Sequence, residues 1–186
     1  MSKKSVIIFE GIESSGKTFH ISNVSKYLKK KGIDHIKIRE PGGCFNGEKI
    51  RNLILNDKLS FNKNTDLLLY LAARSENINL LKKYYKKKVI LIDRFVDSTI
   101  AYQVYGKGVN RSLVDFIHRF ILKNTKPDLT FVLKVKISKA LQRLKKRKKK
   151  NRYDKFSRNF YEKAQKAFVK IAKKNKRKYY FFDNSN

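Results

Sequence analysis

The sequence is poor in cysteine, tryptophan, proline and acidic residues. It has one cysteine, no tryptophan and two prolines among 186 residues. The single cysteine, Cys44, excludes an intrachain disulfide and fits a reducing compartment. The first hydrophobic run is too short for a signal peptide, and no later run is long enough to cross a bilayer. We therefore predict a cytoplasmic protein without a membrane partner.

The scarcity of acids leaves a large positive charge. There are 15 Asp and Glu against 46 Lys and Arg, which gives a formal charge of +31 and a pI near 10.3. Such a charge attracts phosphate groups, but nucleic acid, an acidic membrane surface and a small anionic substrate all fit it. The lysine-rich vocabulary can also reflect genome base composition. The length predicts a single domain over residues 1–186.

Short β-rich runs alternate with segments of helical periodicity. The runs are SVIIF (residues 5–9), HIKI (35–38), KVILI (88–92), LTFVLKV (129–135) and YYFF (179–182). The helical segments are residues 17–31, 66–85, 111–123 and 157–174. This alternation predicts an α/β fold, with a doubly wound sheet of about five parallel strands and helices on both faces. In such folds ligands bind at the carboxyl ends of the strands.

A phosphate-binding loop follows the first predicted strand. GIESSGKT, residues 11–18, satisfies G-x-x-x-x-G-K-[ST] between a strand and a helix. Backbone N–H groups of such a loop surround phosphate oxygens, the lysine bridges the outer phosphates and the last hydroxyl ligates magnesium. The motif predicts ATP or GTP binding by Gly11, Ile12, Glu13, Ser14, Ser15, Gly16, Lys17 and Thr18.

One feature suggests GTP. TKPD, residues 125–128, matches the [NT]KxD pattern used for guanine recognition. It precedes a predicted strand instead of following one, and no DxxG follows the third strand. We therefore interpret TKPD as the turn that starts the fourth strand.

Charged residues follow the other strands. REPGG (39–43) comes after the second strand and DRFVDSTIAYQ (93–103) after the third. Asp93, at the end of an apolar run, suits magnesium, directly or through water. Arg94 offers a planar fork for a second phosphate.

Together these motifs resemble those of thymidylate kinases of the bacterial type. FEGIESSGKT, REPGG, YLAAR (70–74) and DRFVDSTIAYQ occur in the family's order and spacing, and the likeness runs from about residue 6 to residue 183. The resemblance implies the P-loop NTPase fold and transfer of the γ-phosphate of ATP to dTMP with Mg²⁺, giving dTDP and ADP for dTTP biosynthesis. It also implies a homodimer and no specific nucleic-acid partner.

The resemblance further implies an acceptor site. Arg74 would donate to thymine O4, and Tyr70, one helical turn earlier, would stack on the base. Glu13 would receive the sugar 3′-hydroxyl, and the ring of Tyr102 would exclude a 2′-hydroxyl. The remaining implied dTMP contacts are Arg51 and Arg94 to the phosphate, and Ser98 and Gln103 to the base.

A basic lid is implied as well. Some relatives carry an arginine in the phosphate loop where this chain has Ser14, and relatives without it bring arginines from a mobile lid. The lid here spans about residues 143–154, between a helix carrying Leu141 and a helix beginning after Asp154. Arg143 would meet the adenine or its phosphates. The implied catalytic residues are Lys17, Asp93, Arg94 and either Arg147 or Arg152, a choice that the sequence leaves open.

Two other functions remain on sequence grounds. One is another P-loop kinase that acts on nucleotides or deoxynucleosides. The other is a basic nucleic-acid-binding protein with a vestigial phosphate loop, although no recognised nucleic-acid module is present and the densest basic cluster coincides with the lid. A substrate panel separates the first from a dTMP kinase, and salt-dependent DNA binding identifies the second.

Overall fold

Five parallel strands form a sheet in the middle of the protein. The computed structural model describes residues 4–123, 125–174 and 176–185. The strands are β1 (Val6–Glu10), β2 (His35–Arg39), β3 (Val89–Asp93), β4 (Leu129–Lys134) and β5 (Tyr179–Asp183). They are hydrogen-bonded in the order β2-β3-β1-β4-β5, with every pair parallel. The predicted sheet is confirmed.

Helices connect the strands. In the described ranges they are α1 (Lys17–Lys30), α2 (Phe45–Leu55), α3 (Lys63–Tyr84), α4 (Val96–Thr99), α5 (Arg111–Leu122), α6 (Ile137–Lys145) and α7 (Arg158–Lys174). A π-helical segment (Ile100–Gly106) continues α4, and a 3₁₀-helix (Arg152–Lys155) precedes α7. The predicted helical segments correspond to α1, α3, α5 and α7, and α6 is the helix that carries Leu141. Periodicity predicts neither α2 nor the turns that follow β3.

Both faces of the sheet are covered, as predicted. Successive residues of β3 face opposite sides, because a strand has a two-residue repeat. Ile90 and Ile92 pack in one cluster with Ile78 of α3, while Leu91 packs in another with Ile21 of α1. Burial on both faces explains why the strands are apolar runs without polar alternation.

The sheet aligns the starts of two functional segments. β1 and β3 are neighbours, and Phe9 pairs with Asp93 in the register. The phosphate loop after β1 and the charged segment after β3 therefore start at the same edge of the sheet, where doubly wound folds bind ligands.

TKPD lies at the opposite edge. β4 begins at Leu129, directly after this turn, and Asp128 Oδ2 accepts a hydrogen bond from Val6 N at 2.9 Å. The interpretation of TKPD as a turn that starts the fourth strand is confirmed. In residues 4–123, 125–174 and 176–185, no helix has the length and apolar character that a membrane span requires.

Candidate active site

A cleft of about 570 Å³ opens at the carboxyl ends of the strands. Most of the predicted site residues border it: Glu13, Ser14, Gly16, Lys17, Thr18, Arg51, Tyr70, Asp93, Arg94, Ser98, Tyr102, Gln103, Arg143 and Arg147. Arg74 and Arg152 are not part of its lining, and neither are Gly11, Ile12 and Ser15. The cleft joins the phosphate loop to the predicted acceptor residues.

The phosphate loop is folded tightly around its lysine. Gly11 has φ +139°, and a Cβ there would lie 2.4 Å from Leu133 O, so only glycine fits. Lys17 Nζ donates to Gly11 O at 3.0 Å and to Ile12 O at 2.9 Å. Burial, and then the charge of Arg94, lower the pKa of Lys17 to about 8. The ammonium group is therefore a desolvated cation that gains from bound phosphate.

Two residues of the phosphate loop, Ile12 and Ser15, have buried side chains. Ile12 is 1% exposed and packs in the core against Val132 and Ala140. The side chain of Ser15 is also buried. Their backbone positions shape the loop, and the predicted ATP contacts of both residues are consequently limited to N–H groups.

Three of the residues that are predicted to bind dTMP, Glu13, Arg94 and Tyr102, contact one another beside the phosphate loop. Arg94 has φ +69°, an unusual conformation for arginine, which occurs directly after β3. Its Nη2 donates to Glu13 Oε1 at 2.8 Å, and its Nη1 donates to Gly11 O at 2.9 Å. Tyr102 OH donates to Glu13 Oε2 at 2.5 Å. Glu13 thus holds the guanidinium of Arg94 and the ring of Tyr102 on one side of the cleft.

Asp93 and Thr18 fit a magnesium ion. Both residues line the cleft, and Asp93 Oδ1 is a buried oxygen that makes no hydrogen bond to any described residue. No group of three or more His, Cys, Asp or Glu that could hold a metal occurs in the described ranges. Mg²⁺ usually takes one or two protein oxygens and completes its shell with water and substrate phosphates, which agrees with this sparse set.

The far end of the cleft is aromatic and polar. The rings of Tyr70 and Tyr153 are 5.7 Å apart and nearly perpendicular. Gln103 is 1% exposed; its Nε2 donates to Tyr153 OH at 3.2 Å, while its Oε1 is buried without a hydrogen bond among the described residues. Arg51 Nη1 donates to Pro41 O at 2.7 Å on the wall. This end offers a ring surface, a cation and an unsatisfied acceptor.

The structure does not bring Arg74 to this pocket. Its guanidinium is 2% exposed and lies behind the wall. It donates to Glu40 Oε2 at 2.7 Å, Thr99 Oγ1 at 2.8 Å and Phe95 O at 2.8 Å, and its Nη1 is 2.6 Å from His118 Nε2. These partners engage all three nitrogens, so Arg74 holds Glu40 in the cleft wall. The bond of Arg74 to thymine O4 stays a prediction.

Ser98, which is predicted to contact the base, bonds to two charged side chains in the structure. Its hydroxyl donates to Glu10 Oε2 at 2.6 Å and accepts from Arg94 Nη1 at 3.2 Å. Glu10 accepts in addition from the backbone N of Phe95 at 2.7 Å. Burial, and then Asp97, raise the pKa of Glu10 to about 7. Ser98 thus borders the cleft and links Arg94 to this buried carboxyl group, and its contact with the base stays a prediction.

The lid arginines separate into two groups. Arg143 Nη1 donates to Ser14 O at 3.0 Å, and its Nη2 donates to Asn184 O at 3.3 Å. Arg147 Nη1 donates to Asp154 Oδ1 at 2.7 Å. Both arginines border the cleft. Arg143 is therefore attached to the phosphate loop, and Arg147 is held over the cleft from within the lid.

Arg152 is directed elsewhere. Its Nε donates to Ile54 O at 3.1 Å, and its Nη2 contacts Asp66 Oδ1. The guanidinium lies over the ring of Phe61, 5.1 Å from the ring centroid. In the structure the guanidinium of Arg152 thus anchors the lid to α2 and α3, and its assignment as a candidate catalytic residue stays a prediction.

Comparison with known proteins identifies the family. The family model for thymidylate kinase matches residues 9–186. The chain belongs to the thymidylate kinase family. It is 38% identical over 169 residues to the thymidylate kinase of Thermosipho africanus, covering 90% of this chain and 84% of that protein. It is 35% identical over 179 residues to the thymidylate kinase of Clostridium novyi, covering 94% and 87%.

A solved structure of the family has the same fold. The crystal structure of thymidylate kinase from Ehrlichia chaffeensis superposes with a TM-score of 0.79 at 32% identity, covering 98% of this chain and 92% of that chain. The P-loop NTPase fold that the motif resemblance implies, with its doubly wound parallel sheet, is thereby confirmed.

Eight residues that border the cleft of this thymidylate kinase family member were not among the predicted ones: Phe19, Glu40, Pro41, Leu55, Thr99, Asn151, Tyr153 and Asn184. Glu40 lies in the REPGG motif and Tyr153 lies beside Arg152 in the lid, so both could have been predicted from neighbouring residues in the sequence. Asn184 lies in the segment directly after β5, and its Nδ2 donates to Ser15 O of the phosphate loop at 2.9 Å.

Proposed function

We propose that this chain is a dTMP kinase. It transfers the γ-phosphoryl group of ATP to dTMP, giving dTDP and ADP in the route to dTTP, and it acts in the cytoplasm as a single domain with a lid. The supporting observation is that one cleft joins a phosphate loop to a pocket in which the buried Oε1 of Gln103 makes no hydrogen bond among the described residues.

The donor end would hold magnesium-ATP. Backbone N–H groups of residues 11–18 surround the phosphates, and Lys17 exchanges its carbonyl partners for phosphate oxygens. Arg143 lies beside the loop, where the adenosine of ATP would enter. Mg²⁺, held by Thr18 and, through water, by Asp93, would neutralise charge on the transferring phosphate.

The acceptor end would hold dTMP. Arg94 and Arg51 meet its phosphate, and Glu13 accepts the 3′-hydroxyl. Tyr70 stacks on the base. Gln103 Oε1 accepts the N3–H of thymine, which satisfies its otherwise unpaired oxygen.

The ring of Tyr102 would exclude ribonucleotides. It is 4% exposed and is fixed by its hydroxyl bond to Glu13. The sugar of dTMP must bind Glu13 through its 3′-hydroxyl, so its C2′ faces this ring. A 2′-hydroxyl at that position has no space, and dTMP is preferred over ribonucleotides.

Catalysis would consist of alignment and positive charge. Phosphoryl transfer has a loose transition state, so the protein needs to place the acceptor oxygen in line and to stabilise the equatorial oxygens. Lys17 borders the cleft from the loop, and Arg143 and Arg147 border it from the lid; Arg143 is already bonded to Ser14 O of the loop. Arg147 is the lid arginine we assign to the transferring phosphate.

A coupled assay of ADP release tests the proposal. The protein is given magnesium-ATP with dTMP, dUMP, dCMP, dGMP or thymidine. We expect dTMP to be the best acceptor and Lys17→Ala to abolish turnover. Preference for the nucleoside, or for a purine nucleotide, would refute a dTMP kinase and favour another P-loop kinase.

We further propose that the chain forms a homodimer through α2, α3 and α5. These helices pack on one another and carry large apolar side chains with high exposure: Leu53, Leu68, Leu113, Phe116 and Phe120. Such a surface on a highly charged protein suits an isologous contact. Sedimentation analysis should give a dimer that Phe116→Asp converts to a monomer, whereas Tyr27→Asp, on exposed α1, leaves it unchanged.

A further inference from the structure

Tyr153 brings the lid into the wall of the base pocket. It lies in the 3₁₀-helix and is 3% exposed. Its ring is 5.7 Å from the ring of Tyr70 and 6.0 Å from that of Tyr102, crossing them at 83° and 66°. The pocket in which we place thymine is therefore closed on one side by a lid residue.

The hydroxyl of Tyr153 is the donor in one hydrogen bond and the acceptor in another. It has one hydrogen, and it donates that hydrogen to Asp66 Oδ2. Asp66 is fully buried and is also paired with Lys107 and Arg152. A carboxylate between two cations only accepts hydrogen bonds. The oxygen of Tyr153 is consequently left as an acceptor.

This acceptor determines which way the amide of Gln103 faces. Gln103 Nε2 is 3.2 Å from Tyr153 OH and donates to it. If the amide were rotated by half a turn, its oxygen would face an oxygen that has no hydrogen to give, and the contact would become repulsive. With the nitrogen held by Tyr153, Oε1 is the amide atom that remains without a hydrogen bond to any described residue, in a side chain that lines the cleft.

We propose that Asp66 and Tyr153 select the base by fixing the amide of Gln103 with its oxygen towards the pocket. The inference rests on the proposed function. Thymine and uracil carry N–H at position 3 and satisfy this oxygen. Cytosine carries a lone pair there, so the two acceptors would oppose each other in a buried site. Tyr153 and Asp66 are thus positioning residues that act through Gln103.

If this inference is right, removal of the Tyr153 hydroxyl weakens the selection of dTMP over dCMP, beyond any general loss of activity. In Tyr153→Phe the ring still packs against Tyr70, but the amide of Gln103 can rotate and offer its N–H to the N3 of cytosine. The ratio of kcat/KM for dTMP to that for dCMP should fall by about tenfold, the factor that one ordinary hydrogen bond contributes. The use of dUMP relative to dTMP should not change.

Tyr179→Phe provides a matched control. Tyr179 OH donates to Asp97 Oδ2 at 2.7 Å, so this change also removes a hydroxyl bond to a carboxylate, but outside the cleft lining. We expect lower stability and an unchanged dTMP to dCMP ratio. Asp66→Asn is a second variant, because an amide can donate to Tyr153 and free the opposite orientation of Gln103.

The experiment measures kcat/KM for dTMP, dUMP and dCMP, and the affinities for dTMP and dCMP by calorimetry. A fall in the dTMP to dCMP ratio confined to Tyr153→Phe and Asp66→Asn supports the inference. An unchanged ratio in Tyr153→Phe, in an enzyme that phosphorylates dTMP, contradicts the inference alone, as does an equal fall in Tyr179→Phe. A wild-type protein without activity on dTMP contradicts the proposed function and the inference with it.

Discussion

Arg147 Nη1 donates to Asp154 Oδ1 at 2.7 Å, and both residues belong to the lid. Asp154 is buried, and its other oxygen accepts from Asn151 N at 3.0 Å. The carboxylate is therefore fixed by the turn that starts the 3₁₀-helix. The guanidinium of Arg147, although 41% exposed, is directed over the cleft because its partner is rigid.

We predict that Arg147→Ala lowers kcat by about 10²–10³-fold, the range for removal of one donor to a transition-state oxyanion. The KM for dTMP should change little, because the acceptor residues lie on other elements. Arg147→Lys should restore only part of the rate, since an ammonium lacks the planar fork. Steady-state kinetics with both substrates tests this, and an unchanged kcat in Arg147→Ala would contradict the assignment.

Arg152→Ala should act chiefly on stability. The change removes one of the two cations on Asp66 but leaves Lys107 and Tyr153 in place. We expect the free energy of unfolding to fall by about 1–3 kcal/mol, as for the loss of a hydrogen bond to a charged group. Urea unfolding measures it. A large loss of kcat at full stability would instead return Arg152 to the role of catalytic arginine.

Arg74→Ala should be severely destabilising. It leaves the carboxylate of Glu40 buried without its cation, which costs about 3–5 kcal/mol for a buried ion pair that loses one partner. Arg111→Ala is the control, because its pair with Asp115 is exposed and should contribute less than about 1 kcal/mol. Denaturant unfolding measures the free energy of unfolding of both variants. Equal losses in Arg74→Ala and Arg111→Ala would contradict the structural role of Arg74.

Lys17 should take up a proton when ATP binds at alkaline pH. Burial, followed by Arg94, lowers its pKa to about 8, so part of the population is neutral at pH 8.5. Bound phosphates favour the ammonium form and raise the pKa again. Calorimetry of ATP binding in buffers of different ionisation enthalpy should show net proton uptake at pH 8.5 and little at pH 6.5. Lys17→Met should abolish this difference.

His118 should make the fold sensitive to acid. Burial, and then Arg74, lower its pKa from 6.5 to about 3. A group with a depressed folded pKa contributes stability above its unfolded pKa, and the contribution is lost as pH falls towards the folded value. Between pH 6.5 and pH 5 this amounts to about 2 kcal/mol. Urea unfolding at both pH values should show a smaller loss in His118→Gln, whose amide oxygen can accept from Arg74 without titrating.

Local patterns predicted the strands and the phosphate loop because each depends on residues close in sequence. α2 escaped detection because its sequence contains Asn46, Gly47 and Asn52, which are poor helix formers, and its helix is stabilised by packing on α3. The residues placed in the acceptor site came from motif resemblance, and most of them do border the cleft.

Pairings across the fold could not be predicted in the same way. Arg74 meets His118, 44 positions away, and Arg152 meets Asp66, 86 positions away. From the sequence alone, an arginine in a motif can bind a ligand or pair with a buried carboxylate equally well. In the structure Arg152 is held by Asp66 and Ile54, whereas Arg147 is held by Asp154 and borders the cleft.

The burial of carboxylates has a practical consequence for samples of this protein. Five of the 15 acidic residues, Glu10, Glu40, Asp66, Asp97 and Asp154, are buried, so the solvent-facing surface is more cationic than the composition indicates. Such a surface attracts RNA fragments and other polyanions from an extract, and these would compete with ATP near Arg143 and Arg147. Purification at high ionic strength, with absorbance at 260 nm monitored, should precede any measurement of nucleotide affinity.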